Sequence, residues 1–411
     1  MKKALKTPVA DGITRREGLL SLLGAALALA GCGGGGGGSG VAGVSSGGTG
    51  SFAAGPIMGF GSIIVNGIRF DDSGANVTDE DGLDMRGKLK LGMLATVKGS
   101  PVSGASATAQ TVVVAGELQG RIEGTPNAAQ KTFVVLGQTV KVTGSTVFDE
   151  SLPNGFASLA TDTIVEVHGV LDPAANTLQA TFIEKKNAPA VFKIQGLAKN
   201  HDPVNKKFSI GTGATAIRIN YSTTPADEVR VVPDNDVLVR VRLVAVLPPA
   251  PRPAEWTATR IRKPEILLED RDEAEIEGTI TAFTSAAQFS VNGISVDASH
   301  AFFPDGTAGI VLGARVEVEG NLRADGVLVA DKVEIENEVE VDQREFELHG
   351  TVSNKTATGF TLTSAGGMVV KVNFSGTLAG LVNGAKVEVR GVVADSSTTS
   401  TSINATRITF E

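Results

Sequence analysis

From residue 55 onward the chain alternates apolar and polar residues with a period of two, in short runs bounded by Gly, Asn and Asp. That is the pattern of half-buried strands, and it recurs in five similar units. Each unit opens with a glycine ahead of a short apolar strand, at Gly55-Pro56-Ile57, Gly120-Arg121-Ile122, Gly196-Leu197-Ala198, Gly278-Thr279-Ile280 and Gly350-Thr351-Val352. An alternating second strand follows, as in Ile63-Ile64-Val65-Asn66-Gly67-Ile68 and Phe289-Ser290-Val291-Asn292-Gly293-Ile294. A Val-x-Val-x-Gly hairpin strand comes next: Val165-Glu166-Val167-His168-Gly169, Val316-Glu317-Val318-Glu319-Gly320 and Val387-Glu388-Val389-Arg390-Gly391, with Ala95-Thr96-Val97-Lys98-Gly99 as the first-unit version. The units close on Ala-x-x-[Ile/Val], as in Ala180-Thr181-Phe182-Ile183 and Ala330-Asp331-Lys332-Val333. Asn66-Gly67, Asn292-Gly293 and Asp325-Gly326 supply the positive φ that two-residue hairpins need.

Successive opening glycines lie 65, 76, 82 and 72 residues apart. Roughly 70 residues with four or five strands predicts one small barrel or sandwich, and the strand order predicts an OB-type barrel. The fold class is therefore all-β, with tandem OB-like repeats over residues 55–117, 118–187, 190–265, 275–336 and 346–411. The third repeat is the most divergent, because Pro248-Pro249-Ala250-Pro251-Arg252-Pro253 precedes its last strand. Such a run makes an extended loop and cannot be a central strand. Units this small bury little surface alone, so neighbours should pack or share edges.

The first 54 residues follow a different pattern. Lys2, Lys3, Lys6, Arg15 and Arg16 precede an apolar stretch, Gly18 to Ala30. Those 13 residues fall short of the roughly 20 needed to span a bilayer core, so residues 1–31 read as a signal peptide. Leu29-Ala30-Gly31-Cys32 resembles the lipobox of bacterial lipoproteins, with Cys32 the only cysteine in the chain. Thr14-Arg15-Arg16-Glu17-Gly18-Leu19-Leu20 resembles a twin-arginine export signal, with Gly18 where that family usually has Phe; the general secretory route is the other reading. The lipoprotein resemblance implies cleavage before Cys32 and acylation of that residue. With Gly33 and not Asp next, it also implies outer-membrane sorting, with the body on the periplasmic or surface face. Residues 32–54 are nearly all Gly, Ser, Ala, Thr and Val, including Gly33 to Gly38 in succession. Such a chain is a flexible tether spanning roughly 25 Å.

Charge narrows the partners. The whole chain carries −8, and residues 1–31 hold five Lys/Arg against two Asp/Glu, which leaves −11 from Cys32 onward. A net acidic body repels phosphate backbones. One Trp and one Tyr beside 17 Phe, many of them in core phase, provide no stacking platform. Nucleic acid is thereby excluded as a partner.

The run Gly59-Phe60-Gly61-Ser62-Ile63-Ile64-Val65-Asn66-Gly67-Ile68-Arg69-Phe70, with Leu91-Gly92-Met93 and Val97-Lys98-Gly99 after it, resembles a family of bacterial tandem β-repeats. That family is catalogued only as a domain of unknown function and often follows lipoprotein signals. The resemblance is specific in the first unit, recognisable in the second, fourth and fifth, and thin in the third. It implies the fold and an envelope location, and no activity.

Candidate chemistry is sparse. Asp79, Asp81 and Asp84 give Asp79-Glu80-Asp81-Gly82-Leu83-Asp84 some calcium-loop character, but Lys90 stands where an EF-hand needs Glu. An acidic turn is the plainer reading, and no metal is assigned. Gly82 to Leu89 nearly spells a phosphate-binding loop, yet Leu89 replaces the Ser/Thr that would hold magnesium. His168 and His349 sit just before glycines, in the phase where sister units carry Lys98, Glu319, Arg390 and Gln119, and read as solvent-facing. Glu334, Glu336, Glu338, Glu340 and Asp342 alternate with Ile335, Asn337, Val339 and Val341. That predicts one long strand bridging the fourth and fifth units, its charged face guarding against edge pairing. No nucleophile–base pairing is legible, and no cofactor is implied.

The expectation is a non-catalytic structural or binding module, held to the membrane by its N-terminal lipid. Its partner would be an envelope or extracellular component, protein or polysaccharide. The alternatives are a cation-dependent enzyme with a site between repeats, or a small-ligand or calcium sensor. Convergence of carboxylates from different units would mark the former.

Overall fold

The computed structural model describes residues 50–264, 271–336, 344–365, 367–394 and 401–411. Each repeat closes on itself as a barrel. The second is the plainest: β7 (Leu118–Asn127), β8 (Thr132–Val135), β9 (Gln138–Phe148), β10 (Ile164–Asp172) and β11 (Thr177–Lys185). Here β7, β8 and β9 form an antiparallel meander, β9 runs parallel to β11, and β10 pairs with both β11 and β7. The closed order 1-2-3-5-4-1, with a single parallel contact, is that of an OB-type barrel, and closure removes the edge strands.

The other units repeat the order. Barrel 1 has β1 (Ser51–Phe60), β2 (Ile63–Val65), β3 (Ile68–Asp71), β4 (Asn76–Asp79), β5 (Leu94–Gly99) and β6 (Ser106–Val114), its third strand split into β3 and β4, both parallel to β6. Barrel 3 has β12 (Val191–Asp202), β13 (Lys207–Ile210), β14 (Ile217–Asn220), β15 (Leu238–Val244) and β16 (Trp256–Arg262). Barrel 4 has β17 (Arg271–Ser285), β18 (Gln288–Val291), β19 (Ile294–Asp297), β20 (Arg315–Leu322) and β21 (Val327–Ile335). Barrel 5 has β22 (Glu345–Ser353), β23 (Gly359–Thr363), β24 (Val369–Asn373), β25 (Lys386–Val393) and β26 (Ser402–Phe410). The proline run lies in the strand-free connection between β15 and β16, as its composition requires, and Arg252 in it pairs with Glu123 of barrel 2 at 2.8 Å.

The repeated sequence motifs are the parts that close each barrel. The glycine ending Val-x-Val-x-Gly sits at a register shift between the fourth and fifth strands, opposite the alanine of the closing strand: Gly99↔Ala109, Gly169↔Ala180, Gly320↔Ala330 and Gly391↔Ala405. A Cβ at Gly169, Gly320 or Gly391 would come within 3.0 Å of a carbonyl oxygen on the partner strand. These glycines are bulge residues, needed for close backbone approach. The opening glycines have a partner too. Asn66 and Asn292, at φ 49° and 50°, hold their turns in the left-handed region, and their side chains lie over Gly55 and Gly278. Asn292 Nδ2 donates to the Glu277 carbonyl at 3.1 Å while Oδ1 accepts from Thr279 N–H at 3.2 Å.

Main-chain pairing also joins barrels. Strand β1 runs parallel to β17 over Ser51–Ala54 and to β22 at Gly59–Phe60, so barrels 1, 4 and 5 share one continuous ladder. Phe52 of β1 is fully buried in the core of barrel 4, and barrels 1 and 5 share an apolar core. Barrels 2 and 3 share another, but their ladder contact is the single pair Gln119–Lys193.

Several expectations are corrected here. Ser51–Ala54, assigned by composition to the tether, are strand, because β5 and β17 hydrogen-bond them from both sides. His168, Lys98 and Gln119 do not face solvent: they are 3%, 5% and 4% exposed, since the outer face of these strands is covered by another barrel. The long bridging strand does not extend through the linker's start. β21 stops at Ile335, and the Glu336 carboxylate turns onto Arg315 at 2.7 Å and Arg344 at 3.0 Å. Glu338, Glu340 and Asp342 lie outside the described residues.

Candidate functional site: a charged junction between three barrels

Outward-facing positions of barrel strands gather where barrels 1, 2 and 3 meet. On β15 and β16, Arg240 stands directly opposite Arg262, and Arg242 opposite Arg260. Like charges facing each other across a ladder are mutually destabilising, so this face requires anions. They come from elsewhere in the chain. Glu80, just past β4 of barrel 1, meets Arg240 at 3.0 Å, Arg242 at 3.2 Å and Lys193 at 3.0 Å. Asp81 meets Arg242 at 2.5 Å and Arg260 at 3.2 Å. Glu117, in the link between barrels 1 and 2, meets Arg240 at 2.9 Å, and Glu228 of barrel 3 meets Arg260 at 2.8 Å. Barrel 2 adds Glu166, paired with Lys186 at 2.7 Å and Lys193 at 3.2 Å.

The electrostatics follow from that packing. Burial alone would raise Glu80, but Arg240, Lys193 and Arg242 hold it at about 2. Glu166 is likewise held at about 2 against its burial, chiefly by Lys193, with His168 and Lys186 adding. Glu117 goes the other way: burial pushes it up to about 7, Arg240 opposing and Glu80 adding to the rise. Burial drives His168 down to about 4, so its ring is neutral at pH 7. Its Nδ1 accepts the Leu94 N–H of barrel 1 at 3.2 Å, and Phe182 packs edge-on with centroids 5.6 Å apart.

Carboxylates from different units therefore do converge, but lysines and arginines interleave with all of them. The cleft left among Glu80, Arg240, Arg242, Arg260, Arg262 and Lys263 holds about 30 Å³. A second cleft, where Met58 and Phe346 meet Gln179, Thr181 and Arg315, holds about 10 Å³. These are spaces for a water molecule or so.

The acidic loop offered by the sequence for calcium is mostly used up. Asp79 Oδ1 accepts the N–H groups of Asp81 and Leu83 at 2.8 and 2.9 Å, Asp84 Oδ1 accepts that of Arg86 at 2.9 Å, and Asp81 is bound by arginines. Among the described residues, no group of three His, Cys, Asp or Glu side chains is placed to hold a metal ion. Cys32, Leu29, Ala30, Gly31, Arg15 and Arg16 lie outside the described residues.

Two histidine arrangements had no visible sign in the sequence. His201 Nδ1 lies 2.8 Å from Asp234 Oδ1 and its Nε2 2.7 Å from the Tyr221 hydroxyl. His349 contacts Glu347 through Nε2 at 3.1 Å and Glu411 through Nδ1 at 2.5 Å, which raises its affinity for a proton. The first unites three separated segments, and the second joins a pair on β22 to the distant Glu411. The arginine face could have been suspected from Arg240-Val241-Arg242 and Arg260-Ile261-Arg262, two alternating basic strands in an acidic protein; its partner loop could not.

Comparison with known proteins adds to the fold and not to a ligand. A profile of the family described as "Domain of unknown function (DUF5666)" matches residues 119–184 and 277–334, which are most of barrels 2 and 4. Two separate matches in one chain are consistent with a repeated organisation. No curated protein sequence matches the chain. Among solved structures, drosophila Unr CSD456 is similar at 12% identity over 55% of this chain and 98% of that one, with a TM-score of 0.14, too low to carry an argument. The repeated, closed β-barrel is thus established by its own strand topology.

Proposed function

We propose that the protein is a lipid-anchored cell-envelope component whose five barrels form a non-catalytic structural or binding module for an envelope or extracellular partner. The anchor rests on Cys32 behind Leu29-Ala30-Gly31 and on the glycine-rich stretch after it. Three acyl chains on that cysteine, at roughly 0.8 kcal/mol per buried methylene, would make attachment effectively permanent. The observation that carries the module reading is the junction itself. Most of its charged groups pair with one another between barrels, and the enclosed cleft they leave, at about 30 Å³, is far below the several hundred Å³ of an ordinary small-molecule pocket.

Fractionation with protease shaving of intact cells tests the reading, comparing wild type with Cys32→Ala. The expected result is a membrane-bound wild type and a soluble variant. Shaving of the wild type would put the body on the cell surface, and protection would put it in the periplasm. A Cys32→Ala protein that stays membrane-bound overturns the lipid anchor.

A further inference from the structure

The paired arginines of β15 and β16 have a consequence for what the module binds. We infer that this face is a recognition site for ligands carrying closely spaced anionic groups, and that the Glu80–Asp81 loop of barrel 1 is its internal competitor. The inference rests on the binding-module reading and names the partner's chemistry.

Three observations carry it. First, Arg240 faces Arg262 and Arg242 faces Arg260, an arrangement that costs free energy on a bare barrel and is disfavoured unless anions cover it. Second, two of the covering carboxylates belong to neighbouring residues of another barrel, more than 150 positions away in sequence: 161 separate Asp81 from Arg242. Each of the two carboxylates bridges two guanidinium groups, Glu80 those of Arg240 and Arg242 and Asp81 those of Arg242 and Arg260, as charge-assisted pairing with closely spaced anions would. Third, the cover is incomplete. The cleft remaining beside Glu80 is lined by the four arginines and Lys263, and the buried Arg240 Nε has no hydrogen-bond partner. Asp81, at 28% side-chain exposure, is the more accessible of the two loop carboxylates and the one a solution anion would displace first.

Isothermal titration of the purified full chain tests this with two probes at constant ionic strength: pyrophosphate, as a small linked di-anion, and oligogalacturonate, as a carboxylated polysaccharide. Both probes binding supports the shared chemistry. Pyrophosphate alone points to a free phosphate ligand, and oligogalacturonate alone to an acidic polysaccharide. Asp81→Asn should tighten either by about two- to fivefold, the worth of one partly exposed ion pair, and Arg260→Gln should weaken it by at least as much. If Arg260→Gln does not fold, the gain in Asp81→Asn decides. No heat beyond a chloride-matched control with wild type and Asp81→Asn alike, or equal binding by Arg260→Gln, overturns the site. Neither result bears on the anchor, which the fractionation of Cys32→Ala decides separately.

Discussion

Gly320→Ala is the sharpest test of how these barrels close. Gly320 lies in β20 at the register shift after Glu319, paired with Ala330. An added Cβ would stand 2.8 Å from Ala330 Cα and closer still to the Val329 carbonyl oxygen. Both obstacles are backbone, so no rotamer change relieves them. Carbon and oxygen normally approach no nearer than about 3.3 Å, and β20 must therefore move away from β21 where the bulge joins them. Overpacking of this kind costs about 1–3 kcal/mol. If barrels 1, 4 and 5 melt as the unit their shared ladder suggests, about 200 residues, each kcal/mol lowers Tm by about 2–4 °C. Calorimetry should then show a fall of about 2–12 °C. Gly74→Ala is the control: nothing lies within 4 Å of a Cβ there, so it should be neutral or slightly stabilising through the unfolded chain. Barrel 3 supplies the natural contrast, since Leu243 occupies the corresponding bulge opposite Ala258 and is fully buried. There the bulge admits a side chain into the core, and Leu243→Gly should be the damaging change. A Gly320→Ala protein melting with the wild type would refute the steric reading of the Val-x-Val-x-Gly motif.

Other perturbations address single contacts. Asn292→Ala loses two hydrogen bonds to the Gly278 strand and a residue suited to positive φ; about 2–3 kcal/mol should be lost, with Asn292→Gly intermediate, and equal melting of all three would count against the lock. His168 titrates at about 4 when folded against an ordinary 6.5. Its neutral ring therefore contributes stability that is complete above pH 6.5 and lost as pH falls through 4, about 3 kcal/mol in all. Urea midpoints between pH 7.5 and 5 should drop less for His168→Gln than for wild type. Glu117 works in the opposite sense, its raised value favouring the fold as pH falls from 7 toward 4.5, and it is unchanged in that comparison. Glu80→Gln leaves Lys193, Arg240 and Arg242 short of a buried counter-charge and should cost about 3 kcal/mol; an unshifted denaturation midpoint would show that the junction contributes little.

Much of each barrel was legible in the chain because its causes are local. Period-two alternation separates the inside of a barrel from its outside, and Asn66-Gly67 and Asn292-Gly293 state their own backbone geometry. The opening and hairpin glycines, with the closing alanines, marked the repeat before their purpose was visible. The purpose needed coordinates, since the close approach is to a carbonyl on a strand some ten residues away. The candidate site was legible only as fragments. Asp79 to Asp84 read as an acidic turn, and nothing in the sequence around Arg240 and Arg242 says that the two segments touch.

What the sequence by itself determined is the number of units, their all-β character, their turns and which residues point into each core. The tertiary structure decided what lies against the outside. His168, Lys98, Gln119 and Glu166 occupy outward positions in a barrel and are buried all the same, and β1 serves two foreign strands as well as its own barrel. Alternation carries no information on this point, because a charged side chain is equally acceptable to water and to an opposite charge on another barrel. Which of the two it meets depends on contacts between different barrels, such as His168 with Leu94 and Gln119 with Val191, and only the packed chain specifies those.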